Sequence, residues 1–219
     1  MNTHTLSEAA SRRLVAQAGI PVSDFVTAPD VDGALAMASE LERPLVAKLC
    51  GDTIAHKSER GLVRLGLETD EQVRVALTEL RNAATADDGE VELLVSTMVD
   101  GRRELIAGLT HDPQFGMTVM LGIVGVLAEA IADVSFRLAP IDEVDAREMI
   151  DELATQKLLG AFRGEPPLDR EAVIKVLVAL GRLADDDPEI RSVDLNPLII
   201  VDGQPVAVDA LVERTGRPA

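Results

Sequence analysis

Short apolar segments and amphipathic segments alternate along the chain, and glycine, proline or aspartate separates most of them. Residues 6–18 place apolar side chains near one helical face, whereas Pro44–Leu49 is a nearly continuous apolar run of the length of a buried strand. The first part of the chain therefore predicts the order helix, strand, helix, strand, loop, strand, helix. Because helices and strands are mixed and several strand pairs are separated only by short turns, an α+β fold is favoured over a doubly wound sheet.

The second part of the chain is predicted to be richer in strand. Strands at Glu92–Met98 and Glu104–Leu109, joined by a turn at Asp100-Gly101, have the pattern of a hairpin. A glycine-punctuated loop is predicted from Gly122 to Gly125. Two helices are then predicted, at about residues 141–153 and 170–184.

Two lobes are predicted, residues 1–90 and residues 91–219, with the boundary at Asp87-Asp88-Gly89. A chain of 219 residues is long enough to bury a substantial core in this arrangement. The sequence has four Phe and neither Tyr nor Trp, so the core is expected to be aliphatic.

Composition also excludes several classes of partner. The net charge of −17 and the scarcity of rings for base stacking argue against a nucleic-acid partner. No apolar run reaches the length of roughly 18–20 residues that a bilayer requires, so no membrane partner is expected. The single cysteine, Cys50, excludes an internal disulfide and a multi-cysteine zinc site. These features together predict a soluble, cytoplasmic protein.

Two polar residues near the C-terminus interrupt otherwise apolar strands. Strands are predicted at Val193–Val201 and Val206–Val212 with a turn at Asp202-Gly203, so Asn196 and Asp209 are expected to face one site. Amide and carboxylate oxygens are hard ligands that suit Mg²⁺. A hydrogen-bonded turn without metal is the alternative interpretation.

Lysines and a histidine near residue 50 form a second group of candidates. Lys48 lies within the apolar strand and either extends to solvent or points its ammonium group at an anion. The polar loop that follows, Asp52–Gly61, contains His56, Lys57 and Ser58, which are suited to a phosphate ligand. A neutral imidazole is available near pH 7, so His56 could also act as a phosphoryl acceptor. The alternative is a surface loop with an incidental histidine.

The order of these motifs resembles the ATP-grasp β subunit of ADP-forming acyl-CoA synthetases over nearly the whole chain. Succinyl-CoA synthetase β chains are more distant relatives with a similar closing hairpin. The matching segments are Leu6-Ser7-Glu8-Ala9, Ala18–Val22, Val46-Ala47-Lys48, Ile54–Ser58, Met98–Gly108, Asp112–Gly116, Val119–Gly122, Glu129, Asp133–Pro140, Gly160–Gly164, Asp194–Leu198 and Asp209-Ala210.

The resemblance implies an ATP-grasp fold, in which two α+β lobes hold ATP or ADP between them. It implies that Lys48 contacts phosphate, with Lys57 and Ser58 in the same loop as His56, and that His56 carries phosphate transiently between subunits. It further implies that the strand ending at Met98 and Val99 runs beside the adenine, that Glu104 lies near the nucleotide, and that Asn196 and Asp209 hold Mg²⁺. A separate CoA-binding α subunit or domain would complete the acyl-CoA reaction in a hetero-oligomer.

Two departures from the family pattern affect its glycine-rich loops. Leu62 stands where the family usually has a second glycine, and Val124 stands in a loop that usually reads Gly-x-Gly-Gly. Both residues place a side chain where backbone would approach phosphate. A degenerate nucleotide-binding regulatory module without turnover is therefore an alternative to the catalytic β subunit. A purely structural interaction domain is a third hypothesis, which leaves the polar residues of the closing strands unexplained.

Overall fold

A computed structural model of the chain describes residues 3–54, 57, 60–124, 133–161 and 164–216. The chain divides into two compact units. The N-terminal unit comprises Thr5–Ala10 and Ser23–Met98, and the C-terminal unit comprises Met1–His4, Ser11–Val22 and Val99–Ala219. The division falls inside the first helix, α1 (Glu8–Gln17).

The N-terminal unit is a four-stranded antiparallel sheet with two further helices. The strand order is β2-β5-β3-β4. Its elements are β2 (Phe25–Ala28), α2 (Val31–Ala38), β3 (Leu45–Cys50), β4 (Val63–Leu67), α3 (Asp70–Asn82), a 3₁₀ turn (Ala86–Asp88) and β5 (Glu92–Thr97).

Side-chain caps define where the helices of this unit begin. The Asp30 carboxylate accepts a hydrogen bond from the amide of Gly33 at 2.8 Å, and Thr69 and Gln72 form a capping box before α3. All six residues of β3 are buried. The surrounding core is aliphatic, as the composition predicts, and is built largely from Ala, Val and Leu.

The C-terminal unit contains a seven-stranded sheet in its described residues. The strand order is β1-β11-β9-β6-β7-β8, and β10 pairs with β9. The elements are β1 (Thr3–Thr5), β6 (Glu104–Asp112), β7 (Gly116–Val124), β8 (Val134–Leu138), α4 (Glu143–Glu152), α5 (Gln156–Leu159), α6 (Arg170–Asp186), β9 (Ile190–Val201), β10 (Gln204–Ala207) and β11 (Leu211–Thr215).

The α+β class and the two later helices are confirmed, but the predicted hairpin of Glu92–Met98 with Glu104–Leu109 is wrong. Strand β5 pairs with β2 and β3, whereas β6 pairs with β7 and β9. The two strands thus belong to different sheets, because β5 fills the apolar centre of the N-terminal sheet. For the same reason the compact units divide after Met98 and not near residue 90.

The prediction of a glycine-punctuated loop from Gly122 to Gly125 is also wrong for its first three residues. Gly122, Ile123 and Val124 continue strand β7, and Val124 pairs with Glu104. A Cβ on Gly122 would lie 2.8 Å from the Cγ1 of Val134, so packing between adjacent strands explains this glycine. Gly125 lies outside the described residues.

No helix in the described ranges is both long and apolar enough to cross a membrane.

Candidate functional site

Lys48 is held in the centre of the N-terminal sheet. It lies in β3, opposite Leu94 of β5 and Val63 of β4, and only 8% of its surface is exposed. Its ammonium group donates to the Oε1 atom of Glu8 at 2.7 Å. The side chain therefore does not extend to solvent, and the anion that it contacts is the carboxylate of Glu8.

Glu8 brings a second lysine into the same cluster. The Nζ atom of Lys57 donates to the other carboxylate oxygen of Glu8, Oε2, also at 2.7 Å. The Glu8 side chain is completely buried. One carboxylate thus bridges two ammonium groups, and these three groups carry a net charge of +1. Lysine ammonium groups are suited to a phosphate ligand.

Sequence analysis assigned no role to Glu8, although the residue belongs to a matching segment. An acidic side chain in the first turn of a helix is usually explained by the helix dipole. Its partners lie 40 and 49 residues away, so the local pattern contains no sign of them.

The loop that follows β3 is anchored by Asp88. The hydroxyl of Thr53 donates to the Asp88 carbonyl at 2.6 Å, and the guanidinium of Arg60 donates to both carboxylate oxygens of Asp88 at 2.7 and 3.0 Å. The Arg60 guanidinium, followed by the hydrogen bonds from Thr85, holds the pKa of the Asp88 carboxyl far below its usual range. Asp88 thus binds one residue before Lys57 and one after it, Thr53 and Arg60.

His56 and Ser58, the predicted phosphoryl acceptor and phosphate ligand, lie outside the described residues. Their neighbour Lys57 is placed by its bond to Glu8, and its carbonyl accepts the amide of Leu62 at 2.8 Å. Leu62 itself is buried in the aliphatic core.

The predicted adenine-side residues lie at the end of β5. The strand ends at Thr97, and the amide of Met98 donates to the carbonyl of Pro44 at 2.8 Å. Val99 is the first residue of the long C-terminal segment. The N–H of Met98 is therefore used within the protein.

Glu104 begins β6 and is half-buried in the C-terminal unit. It lines a cavity of about 50 Å³ together with Arg102, Arg103, Leu105, Ile123, Leu158, Leu159, Leu168 and Ile200. One wall is ordered by Arg103, whose buried guanidinium donates to Glu165 at 2.9 Å and to the carbonyl of Pro166 at 2.6 Å. The lining combines apolar residues with three charged ones, Glu104 and its neighbours Arg102 and Arg103.

The single closing strand predicted at Val206–Val212 is wrong, because the chain forms two strands, β10 and β11, and Asp209 lies in the break between them. Ala207 pairs with Leu198 and Leu211 pairs with Asp194, and both pairs have the same register. Continuing that register between the two pairs sets Asn196 against Asp209, as their spacing predicts.

Asp194 adds a second carboxylate that sequence analysis left unassigned. It lies two residues before Asn196, so the two side chains share one face of the strand. Burial, and after it the negative charge of Asp209, raises the pKa of the Asp194 carboxyl. The repulsion between the two carboxylates is of the kind that a divalent cation relieves.

The donor set of two carboxylates and one amide fits Mg²⁺, which prefers few protein oxygens and keeps several waters. No cluster of three or more His, Cys, Asp or Glu side chains in the described ranges is arranged for a metal ion. A magnesium ion at this place would need the amide oxygen of Asn196 and oxygens from outside the protein.

Asp209 is held in place by its neighbours. The amide of Ala210 donates to Oδ1 of Asp209 at 2.9 Å, and the buried guanidinium of Arg12 donates to the carbonyl of Val208. Arg12 is a further residue that sequence analysis missed, because an arginine on a predicted amphipathic helix is usually assigned to the solvent face.

Comparison with known proteins gives consistent similarities. A family model described as an ATP-grasp domain matches residues 1–213. The β subunit of ADP-forming acetate–CoA ligase I from Pyrococcus furiosus is 36% identical over 208 residues, covering 94% of this chain and 90% of the relative. The ADP-forming acetate–CoA ligase I of Archaeoglobus fulgidus is 36% identical over 193 residues, which are 87% of this chain and 28% of that longer protein.

Among solved structures, acetyl-coenzyme A synthetase 1 of Ca. Korarchaeum cryptofilum, in complex with coenzyme A and Ca-AMPCP, superimposes with a TM-score of 0.89 at 37% identity. The match covers 97% of this chain and 94% of that one. In another structure of the same synthetase, with coenzyme A and Mg-AMPPCP, a phosphohistidine segment points towards the nucleotide-binding site.

Proposed function

Since this chain belongs to the ATP-grasp family, among the β subunits of ADP-forming acyl-CoA synthetases, we propose that it binds Mg-ATP or Mg-ADP and passes a phosphoryl group through His56 to a CoA-binding partner. The resemblance stated from the sequence and the ATP-grasp fold are thereby confirmed. The residue roles that follow are proposals.

One observation carries the proposal most directly. The ammonium groups of Lys48 and Lys57 converge on the buried carboxylate of Glu8, and Lys57 directly follows His56 in the chain. Two lysines therefore belong to one cluster within the N-terminal unit. One is Lys48, which we propose contacts the nucleotide phosphate, and the other is Lys57, the neighbour of the proposed phosphoryl acceptor. Phosphoryl transfer depends mainly on positioning and on compensating charge, and this cluster supplies both.

The proposed step is a displacement at the γ-phosphorus of ATP. A neutral ring nitrogen of His56 forms a P–N bond while the bond from phosphorus to the bridging oxygen of ADP breaks. The ring then releases the proton of its other nitrogen to solvent. In the reverse direction phosphohistidine donates its phosphoryl group to ADP. Lys48 and Lys57 would balance the charge of the phosphate oxygens in both directions.

In the C-terminal unit, Asn196, Asp209 and Asp194 would hold Mg²⁺, which would neutralise charge on the nucleotide phosphates when bound. Arg12 keeps the backbone before Asp209 in position through Val208. The family resemblance supports a place for Glu104 near the nucleotide, although the cavity of about 50 Å³ that Glu104 lines is far smaller than a nucleotide site.

A partner subunit is expected because the P. furiosus relative is itself a β subunit. We propose that the partner is an α subunit or domain that binds CoA and the acyl group, and that the two form a hetero-oligomer. The much longer A. fulgidus relative agrees with fusion of such parts into one chain. A cytoplasmic location belongs to the same proposal, since the reaction uses ATP.

The regulatory alternative rested on Leu62 and Val124. Leu62 is a core residue and Val124 is the last residue of a strand, so neither position in the structure gives specific support for a loss of turnover. The catalytic function is the one that the site supports best.

Calorimetry of MgATP and MgADP binding tests the site. Removing a charged hydrogen bond costs about 1.5–3 kcal/mol, so Lys48→Ala should weaken binding roughly 10- to 100-fold. Asp209→Ala should abolish the dependence of binding on magnesium. The matched controls, Lys175→Ala and Asp185→Ala, remove exposed charges from α6 and should bind as wild type does.

Phosphohistidine formation tests the role of His56. With ATP labelled in the γ-phosphate, His56→Asn should bind MgATP but retain no acid-labile label. His111→Asn, at an exposed position of β6, serves as the control. Labelling that persists in His56→Asn would contradict the role of this residue, and binding without labelling in wild type would favour the regulatory module.

A further inference from the structure

We propose that the CoA-binding partner docks on an exposed apolar surface of strand β8, and that it meets this surface with apolar side chains bordered by basic ones. The inference rests on the proposed function, which supplies the partner, and it adds the place of contact. We call this place the β8 surface, and it is formed by Val134, Phe136 and Leu138.

The β8 surface is a row of apolar side chains on one face of a strand. Its three residues are 42%, 49% and 56% exposed. Ser135 and Arg137, which alternate with them, both bond to Glu152 of α4, so the β8 surface points away from that helix. The solvent face of an antiparallel sheet is usually polar. Single exposed apolar residues are normal on a protein surface, but a contiguous row of them marks an interaction site.

A second exposed ring lies near the end of the β8 surface. Phe115 is 67% exposed, in the turn between β6 and β7. The amide of Ala139, the residue after β8, donates to the carbonyl of Met117 at 2.8 Å, so this turn lies beside the end of β8. The chain has four Phe and neither Tyr nor Trp, and two of those four rings are exposed here. Aromatic side chains are enriched in the centres of protein interfaces.

The β8 surface shares a face of the sheet with Asp194, one of the proposed magnesium ligands. Phe136 pairs with Met120 of β7, and Met120 pairs with Gly108 of β6. Gly108 in turn pairs with Asp194 of β9. Directly paired residues of neighbouring strands point to the same side of a sheet, and three strand spacings amount to about 14 Å. A partner on the β8 surface would therefore lie beside the proposed place of the nucleotide phosphates, as phosphoryl transfer to that partner requires.

Charge favours a basic partner over a second copy of this chain. The net charge of the chain is −17. Strand β8 and helix α4 together carry five carboxylates and two guanidinium groups, hence a net charge of −3. Two copies that met at β8 would bring two such acidic regions together, and like charges across an interface are costly. Basic side chains around an apolar centre would instead complement this part of the chain.

The size of the β8 surface also fits a complex of two different proteins. A whole phenylalanine side chain buries about 150–250 Å², so each of the two exposed rings offers on the order of 100 Å². With the two aliphatic side chains, they can form the apolar centre of an interface of standard size, about 800 Å² per partner. Permanent homodimers bury more surface than this and are more apolar.

The experiment measures binding of the full chain to its purified, cognate CoA-binding α subunit by calorimetry. Phe136→Ser and Leu138→Ser should each weaken this binding roughly 10- to 30-fold, as central apolar residues of an interface do. MgATP binding and His56 labelling of the chain alone should stay at the wild-type level. Leu65→Ser, at a similarly exposed position of β4, is the matched control and should bind the α subunit as wild type does. The affinity of wild type should fall as the ionic strength rises.

Several results would overturn the inference. They are wild-type affinity for the α subunit in both β8 variants, an equal loss in Leu65→Ser, an affinity independent of ionic strength, and no binding of the α subunit by wild type. A dimer of the chain alone that Phe136→Ser dissociates, seen in sedimentation equilibrium, would show that a second copy occupies the surface. Far-UV circular dichroism establishes folding, and if one β8 variant does not fold, the other decides.

Failure of the proposed function gives a different result. If wild type binds the α subunit but His56 takes up no label from ATP, the phosphoryl relay is wrong, while the loss of binding in Phe136→Ser still supports the docking surface. If labelling is intact and the β8 variants bind the α subunit as wild type does, only the docking surface is wrong.

Discussion

The ammonium group of Lys48 lies beside a buried carboxylate, and this contact determines what the residue can do. A lysine in an apolar strand is compatible with a solvated head group and with an anion site, and only the position of Glu8 separates the two. The chemistry of Asp194 also depends on its surroundings, because burial and then the charge of Asp209 raise the pKa of its carboxyl. At this scale, neighbours from distant parts of the chain decide the chemistry of a residue.

Asp88 provides a pH-dependent prediction. In the folded protein the pKa of the Asp88 carboxyl lies below its unfolded value of about 3.9. At pH values between the two pKa values, the unfolded chain therefore binds more protons than the folded one. The stability from its pair with Arg60 is therefore fully present above about pH 5 and is lost as the pH falls towards the folded pKa.

Urea unfolding followed by circular dichroism between pH 3 and pH 7 measures this effect. Asp88→Asn should lower the urea midpoint of unfolding at pH 7. The difference in midpoint between this variant and wild type should become smaller as the pH falls to 3. Asp87→Asn, at the exposed neighbouring position, should show no such convergence. A constant difference for Asp88→Asn over the whole range would contradict the pairing.

Elements in this protein are positioned by close contacts that a sequence pattern does not reveal. Gly101 was interpreted as part of a hairpin turn, but it lies where the chain passes from β5 to β6. A Cβ there would lie 2.5 Å from the Cγ2 of Ile199 and 2.6 Å from the carbonyl oxygen of Ile200. The glycine lets this segment approach strand β9.

Gly101→Ala is expected to destabilise the protein by about 1–3 kcal/mol, because a backbone oxygen of a central strand cannot move aside cheaply. The free energy of unfolding in urea measures this cost. At Gly160 an added Cβ would come no closer than 3.7 Å to another atom, so Gly160→Ala is the control and should have a small effect. Equal effects of the two substitutions would mean that packing against β9 is not the cause.

At the scale of the whole molecule, the proposal divides one reaction between two proteins. The matched P. furiosus subunit is comparable in length to this chain, since the match covers 90% of it. The proposed chemistry of this chain ends at phosphohistidine, because the acyl and CoA sites are assigned to the partner.

The isolated chain should therefore exchange phosphate between ATP and labelled ADP, yet form no acyl-CoA from ATP, CoA and acetate. Addition of a CoA-binding α subunit should restore acyl-CoA formation with wild type but not with His56→Asn. Thioester production can be followed by chromatography. Acyl-CoA made by the chain alone would contradict the division of labour.

Local patterns were sufficient for much of the fold. Helices α4 and α6 begin at or within two residues of their predicted starts, because capping residues and apolar spacing lie within a few positions of one another. The pairing of β10 with β9 was equally predictable, since a short turn sets which residues of a hairpin are opposed. The family resemblance rested on motifs of this local kind.

The sequence by itself determined the α+β class, the aliphatic core and the family. Only the tertiary structure decided that β5 completes the N-terminal sheet and that Glu8 bridges Lys48 and Lys57. The physical reason is distance along the chain. Helix caps, turns and hairpin registers depend on neighbouring residues, whereas strand partners and buried ion pairs depend on which distant segments bury the most apolar surface together.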